Sequence, residues 1–186
     1  MKRISPAERG RSCLLVIDPQ EKLMPAIHEA DKVIKQTALM MRCASILDVP
    51  VLATTQYAKG LGPFVPELAE LHTRNDYIDK TEFNCFANRA FRERLKSMER
   101  QTDTFIITGV EAHICIFQTV LGAMEAGFRT WIVTDAVSSR DPGHADEAME
   151  LLRQAGAATG PAEMIIYQLL EKAGTQEFRS VLQHIK

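Results

Sequence analysis

Two apolar patterns alternate along this chain. Short continuous runs rich in β-branched and aromatic residues occur at 13–17 (Cys13, Leu14, Leu15, Val16, Ile17), at 49–55, and at 104–107 (Thr104, Phe105, Ile106, Ile107). A further run covers 129–134, and short strands are expected at 77–80 and 157–159. Runs of this length without polar alternation predict strands covered on both faces, as in the interior of a parallel sheet. Between them the apolar positions recur every three to four residues. Val33, Thr37, Met40, Ala44 and Leu47 form one stripe of a helix over 31–47. Ala87, Phe91, Leu95 and Met98 do the same for a helix over 88–98, and Ala145, Ala148, Met149 and Leu152 for one over 142–155. Pro161 opens a helix that buries Ile165, Ile166, Leu169 and Leu170. Thr175 caps a terminal helix with Phe178, Val181, Leu182 and Ile185 inside.

Strand–helix alternation of this kind predicts one three-layer α/β domain over 1–186, with a polar N-terminal arm at 1–11. The linking segment 56–75 carries Gly60, Gly62, Pro63 and Pro66 and reads as a loop, with a short helix over 66–71. A long loop after a strand's carboxyl end is a substrate-binding feature.

Three reactive residues fall just past predicted strand ends. Asp18 follows the first run, Lys80 ends the third, and Cys115 lies where helical periodicity resumes after Gly109. The N–H groups and positive end of a helix stabilise a thiolate, so Cys115 in a first helical turn is a candidate nucleophile. With strand order 3-2-1-4-5-6, strands one and four flank the crevice where the order reverses. Asp18 and Cys115 then face one site, with Lys80 nearby. Singly, each has an ordinary reading: a loop cap, a solvated lysine, a small apolar core residue. Together they make a catalytic constellation.

Composition narrows the classes. Apolar residues make up 46% and charged residues 25%, and the net charge is −2 from 22 basic and 24 acidic residues. No basic tract favours nucleic acid, and no apolar run approaches the roughly 20 residues that span a bilayer. The start MKRISPAERGRS has no apolar core of the signal-peptide kind, so the chain is read as cytoplasmic. Cys13, Cys43, Cys85 and Cys115 form no CxxC pair and are read as free thiols.

The segments IDPQ at 17–20, KTEFNCF at 80–86, GVEAHICIFQT at 109–119 and DAVSSR at 135–140 resemble the isochorismatase-like cysteine hydrolase superfamily, which includes nicotinamidases and carbamoylsarcosine amidases. The likeness runs from about residue 12 to about residue 170. It is greatest to the small isochorismatase-domain-containing proteins, which share the TTQYAKGLGPFVPEL type of loop at 54–68. The resemblance implies a six-stranded parallel sheet and a triad of Asp18, Lys80 and Cys115. It also implies a cis peptide between Val110 and Glu111, with the backbone N–H groups of Glu111 and Cys115 as an oxyanion hole. Homo-oligomers are common among such relatives.

The resemblance has departures. Nicotinamidases hold a metal with an Asp-x-His pair and a further histidine after strand two; the segment TTQYAKGLGPF has neither histidine nor aspartate, so no metal and no cofactor are expected. His113 and Cys115 are a poor zinc pair, because alternate positions at a helix start point to different sides. Isochorismatases protonate a vinyl ether and need no thiol, so Cys115 favours hydrolysis of a C–N, amide-like bond in a small molecule. Gln20, Tyr57, Phe64, Phe83 and Phe86 are candidate substrate contacts. The rival readings are a non-catalytic binding or redox-sensing protein that uses Cys115, a vinyl-ether hydrolase, and, more weakly, a nuclease.

Overall fold

Every residue of β1 (Ser12–Ile17) is buried, as a strand covered on both faces must be. In the computed structural model, which describes residues 4–72, 76–98 and 101–185, β1 lies between β2 (Val51–Gln56) and β4 (Thr104–Val110). The sheet is completed by β3 (Ile78–Lys80), β5 (Arg129–Ser138) and β6 (Ala158–Gly160), in the order β3-β2-β1-β4-β5-β6 with every pairing parallel. This is the three-layer α/β architecture that the alternating pattern predicts. Residues 1–3 of the expected arm and 73–75 of the expected loop lie outside the described residues.

Side-chain alternation along the strands divides the core in two. Leu14, Val16, Ile106, Trp131 and Val133 face one layer, formed by α1 (Ala30–Ile46) and two C-terminal helices described below. The α1 stripe of Val33, Thr37, Met40 and Ala44 is buried against them. Leu15, Ile17, Phe105, Ile107 and Ile132 face the other layer. There they meet Phe91 of α4 (Arg89–Lys96), Val120 and Ala123 of α5 (Phe117–Glu125), and Met149 and Leu152 of α6 (Pro142–Ala155). The segment after β2 contains two single helical turns, α2 (Ala58–Leu61) and α3 (Pro66–Ala69). The first layer is closed by α7 (Ala162–Leu170) and α8 (Gln176–Ile185), through Ile165, Ile166, Leu169 and Val181.

Local caps explain where helices start. Asn88 Oδ1 accepts from Phe91 N at α4, Asp141 Oδ1 from Gly143 N at α6, and Thr175 Oγ1 from Phe178 N at α8. Three details differ from expectation. Ala87 is exposed and lies in a 3-10 turn before α4, so it is no part of that helix's inner stripe. Pro161 is the N-cap of α7 rather than its first residue. The fifth strand continues past Thr134 to Ser138, because the polar Asp135 does not end it: Asp135 Oδ1 accepts from Ala162 N at the start of α7.

In β4, Gly109 pairs with Ile17 of β1 and has φ +114°. A Cβ there would fall on the carbonyl oxygen of Ile17, which is backbone and cannot move aside. Gly109→Ala is therefore expected to lower stability by about 3 kcal/mol or more, combining left-handed strain with overpacking. Gly127→Ala has the same backbone problem at φ +88° but meets nothing within 4 Å, and is expected to cost about 1 kcal/mol. Urea midpoints of the two variants decide this; equal losses would remove the close-approach argument.

Candidate active site

Strand register brings four polar side chains to one place. Ile17 pairs with Thr54, Thr54 with Ile78, and two residues on Gln56 pairs with Lys80. Positions in register share a face, so Thr54, Gln56 and Lys80 point with Ile17 and Ile78 towards the layer holding α5. Simple alternation would send Asp18 to the opposite face. Its φ of +55° turns the chain, and the carboxylate joins the others. Asp18 Oδ1 accepts from Thr54 Oγ1 at 2.8 Å and Oδ2 from Lys80 Nζ at 2.6 Å; both charged side chains are buried. Lys80 Nζ also donates to Gln56 Oε1 at 2.7 Å.

Cys115 reaches this group from β4. The Val110–Glu111 peptide after the strand is cis, and Ala112–Ile116 then form one π-helical turn in which Ile116 N donates to Glu111 O at 3.2 Å. Cys115 thus lies in this wider turn before α5, not in an α-helical first turn. A five-residue bulge is too short for apolar periodicity to reveal. The thiol, 5% exposed at the residue level, lies 4.0 Å from Gln56 Oε1 and is close enough to the Asp18 carboxylate to feel its charge.

Burial governs the ionisation of the site. It pushes the Asp18 carboxyl above the usual carboxylate range, against the opposing pull of Lys80, Thr54 and Cys115. It also pushes the Cys115 thiol up, with the neighbouring Asp18 charge adding to the effect and Lys80 opposing it. Lys80 is held charged: burial would lower it, but Asp18 and the thiols Cys85 and Cys115 together raise it. A salt bridge of 2.6 Å between Lys80 and Asp18 thus lies beside a thiol that burial holds to its proton. The expected thiolate at a helix end is overridden by desolvation. The other cysteines are buried and unpaired, with burial pushing Cys85 up to about 11 and Cys13 and Cys43 up to about 12.

The proposed substrate contacts separate into three groups. Gln20 is fully buried and its amide is engaged by backbone: Nε2 donates to Gln56 O and Gly62 O, and Oε1 accepts from Gln56 N at 2.7 Å. It clamps the loop after β2 and has no free group for a ligand. Phe64 is buried against Tyr77, whereas Phe86 is half-buried and packs among Phe91, Phe105 and Phe128. Tyr57 and Phe83 are the accessible pair, 52% and 48% exposed.

His113 turns away from Cys115; its Nδ1 lies 2.8 Å from Ser139 Oγ and its ring 5.0 Å from that of His144. Among the described residues no group of three or more His, Cys, Asp or Glu is placed to hold a metal ion. Two residues escaped the sequence reading. Gln56 was detectable, since it lies two positions after Thr54 on the site face of β2. Thr54 itself, the partner of Asp18, follows from the same parity.

The Isochorismatase domain family model matches residues 12–164. Isochorismatase domain-containing protein 2A of Mus musculus is 34% identical over 175 residues, spanning 94% of this chain and 82% of that protein. A structure described as MAR1 ribonuclease from Caenorhabditis elegans superposes with a TM-score of 0.90 at 33% identity, covering 97% of this chain and 92% of that one. The ycaC gene product of Escherichia coli, described as an octameric hydrolase of unknown specificity, shares the fold with a TM-score of 0.89 at 24% identity, over 99% and 92% of the two chains.

The ion pair carries a direct test. Lys80→Met leaves a buried carboxylate without its cation and is expected to cost about 3–5 kcal/mol in urea unfolding. The double variant Asp18→Leu with Lys80→Met removes both charges and is expected to regain much of that loss. A double variant no more stable than the single one would show that the two charges do not compensate each other.

Proposed function

The chain belongs to the isochorismatase family, and on that premise we propose that it hydrolyses an amide-like C–N bond of a small molecule through a thioester on Cys115. The observation that carries this reading is the thiol of Cys115 set against the buried Asp18–Lys80 pair, with Gln56 bridging Lys80 and the sulfur. Raised proton affinity at Asp18 is what a base for a buried thiol requires.

In the proposed reaction Asp18 takes the thiol proton as sulfur attacks the carbonyl carbon. Lys80 stays beside the charge as it passes from oxygen to sulfur. The backbone N–H groups of Glu111 and Cys115 receive the carbonyl oxygen as it becomes an oxyanion, at about 3 kcal/mol per donor. The C–N bond breaks, the amine leaves with the proton from Asp18, and an acyl thioester remains. Asp18 then takes a proton from water, hydroxide adds to the thioester, and the C–S bond breaks. The carboxylic acid leaves and the proton returns to sulfur. No cofactor enters this scheme.

Tyr57 and Phe83 are the proposed apolar contacts for the substrate. Assembly into homo-oligomers is part of the proposal, supported by the octameric E. coli neighbour. No helix among the described residues is long and apolar enough to cross a membrane. Four unpaired thiols fit a reducing compartment, and we place the chain in the cytoplasm.

A ribonuclease activity is the second reading, favoured by the name of the C. elegans neighbour. The two readings differ at sulfur, because RNA cleavage through the ribose 2′-oxygen needs a base and an acid but no thiol. Cys115→Ala is expected to lower turnover of an amide substrate by about 10⁴-fold or more, with loss of the acyl adduct seen by intact mass. Full amide turnover by the variant would end the thioester scheme, and RNA cleavage that survives it would support the second reading.

The pH profile is a separate check. Asp18 must be ionised to act as base, so activity is lost as pH falls through its folded pKa. Because burial raises that value, the acid limb of kcat/KM is expected above the ordinary carboxylate range. A limb at the ordinary value would exclude Asp18 as the base.

A further inference from the structure

The proposed mechanism uses the backbone of Glu111 and gives its side chain no task, yet this carboxylate is buried, with 6% side-chain exposure. Its Oε2 accepts two hydrogen bonds from one residue, from Arg140 N at 2.9 Å and Arg140 Nε at 3.1 Å. The other end of Glu111 is also held: its carbonyl oxygen accepts from Ile114 N at 3.1 Å and Ile116 N at 3.2 Å, inside the turn that carries Cys115. The N–H of Glu111 is attached to the same Cα that these two anchors hold.

The loop that supplies Arg140 is itself fixed. Ser138 Oγ donates to His28 O at 2.7 Å, and Ser139 O accepts from His28 N at 3.0 Å. Ser139 Oγ accepts from His113 N at 3.4 Å, so the same loop grips the Cys115 turn at a second point. Burying a carboxylate is costly unless it is paired and hydrogen-bonded, and here one arginine does both.

We propose that the Glu111–Arg140 pair is a positioning clamp, which aims the Glu111 N–H at the oxyanion formed when Cys115 attacks a carbonyl. The inference rests on the thioester reading above. Glu111 and Arg140 act here as positioning residues, through the direction of a backbone donor. Arg140 also neutralises a negative charge that would otherwise oppose the oxyanion.

Two reactions at the same sulfur separate this role from a merely structural one. With p-nitrophenyl acetate, sulfur bonds to the carbonyl carbon, the C–O bond breaks and p-nitrophenolate leaves, by way of an oxyanion. With iodoacetamide, the C–S bond forms as the C–I bond breaks and iodide leaves, and no oxyanion arises. Both are followed at Cys115 by peptide mass analysis of the full chain. Glu111→Ala is expected to slow acylation about 30-fold relative to alkylation, the scale of a misplaced catalytic group. Glu111→Gln, which offers an oxygen to the same two donors, is expected to recover most of that loss. Arg140→Ala, at a side chain 58% exposed, keeps the backbone donor and is expected to show a smaller loss; it carries the test if Glu111→Ala fails to fold. Acylation and alkylation falling together, or an unchanged ratio in both Glu111→Ala and Arg140→Ala, would overturn the clamp. If the unmodified chain is alkylated but never acylated at Cys115, the thioester reading fails instead.

Discussion

The site depends on one buried ion pair. The Asp18 and Lys80 side chains are fully buried, where each charge alone is prohibitively expensive. Their coexistence requires close approach and hydrogen bonds to the remaining polar atoms, which Thr54 and Gln56 provide. With Cys115 beside them, these residues come from the ends of β1, β2 and β3 and from the turn after β4. The ends meet at one level only because the parallel register sets Ile17, Thr54 and Ile78 in line and Gly109 lets β4 close against β1. The sheet order and the chemistry are in this sense one constraint.

Charge balance follows the same logic at a second place. Glu111 has Arg140 as Asp18 has Lys80, so each buried acid near the sulfur carries its own cation. The Cys115 thiol holds its proton beside these charges. In the proposed first step a proton moves from sulfur to Asp18 and negative charge moves the other way. The total charge of the buried group stays constant, and no ion has to be drawn from solvent. An environment that raises both the carboxyl and the thiol therefore does not block the transfer, since it acts on donor and acceptor alike.

Much of the fold was legible because it rests on periodicity. Apolar runs marked β1, β2, β4 and β5, the short β3 and β6 fell where the strand–helix alternation expects them, and the stripe from Val33 to Ala44 marked α1. Asp18, Lys80 and Cys115 were legible as residues at strand ends, which topology alone brings together. What escaped depends on geometry that periodicity does not encode. The π turn around Cys115 is a matter of one added residue. The extension of β5 to Ser138 was hidden by Asp135, whose carboxylate is taken up by the start of α7. Aromatic type could not separate the buried Phe64 and the half-buried Phe86 from Tyr57 and Phe83, which are exposed. The engagement of the Gln20 amide by the backbone of Gln56 and Gly62 is likewise a matter of loop geometry.

Burial of the thiol also bears on the choice between catalysis and redox sensing. A sensor cysteine needs a stable thiolate open to oxidant. Cys115 is almost wholly covered and its proton is held more tightly than in a free cysteine. Oxidants that select for exposed thiolate have little to select here. A bound carbonyl compound, by contrast, brings its own electrophilic carbon to the sulfur, and proton transfer to Asp18 is then coupled to bond formation. The features that make Cys115 a poor sensor are thus compatible with a nucleophile that reacts only with a substrate already in place.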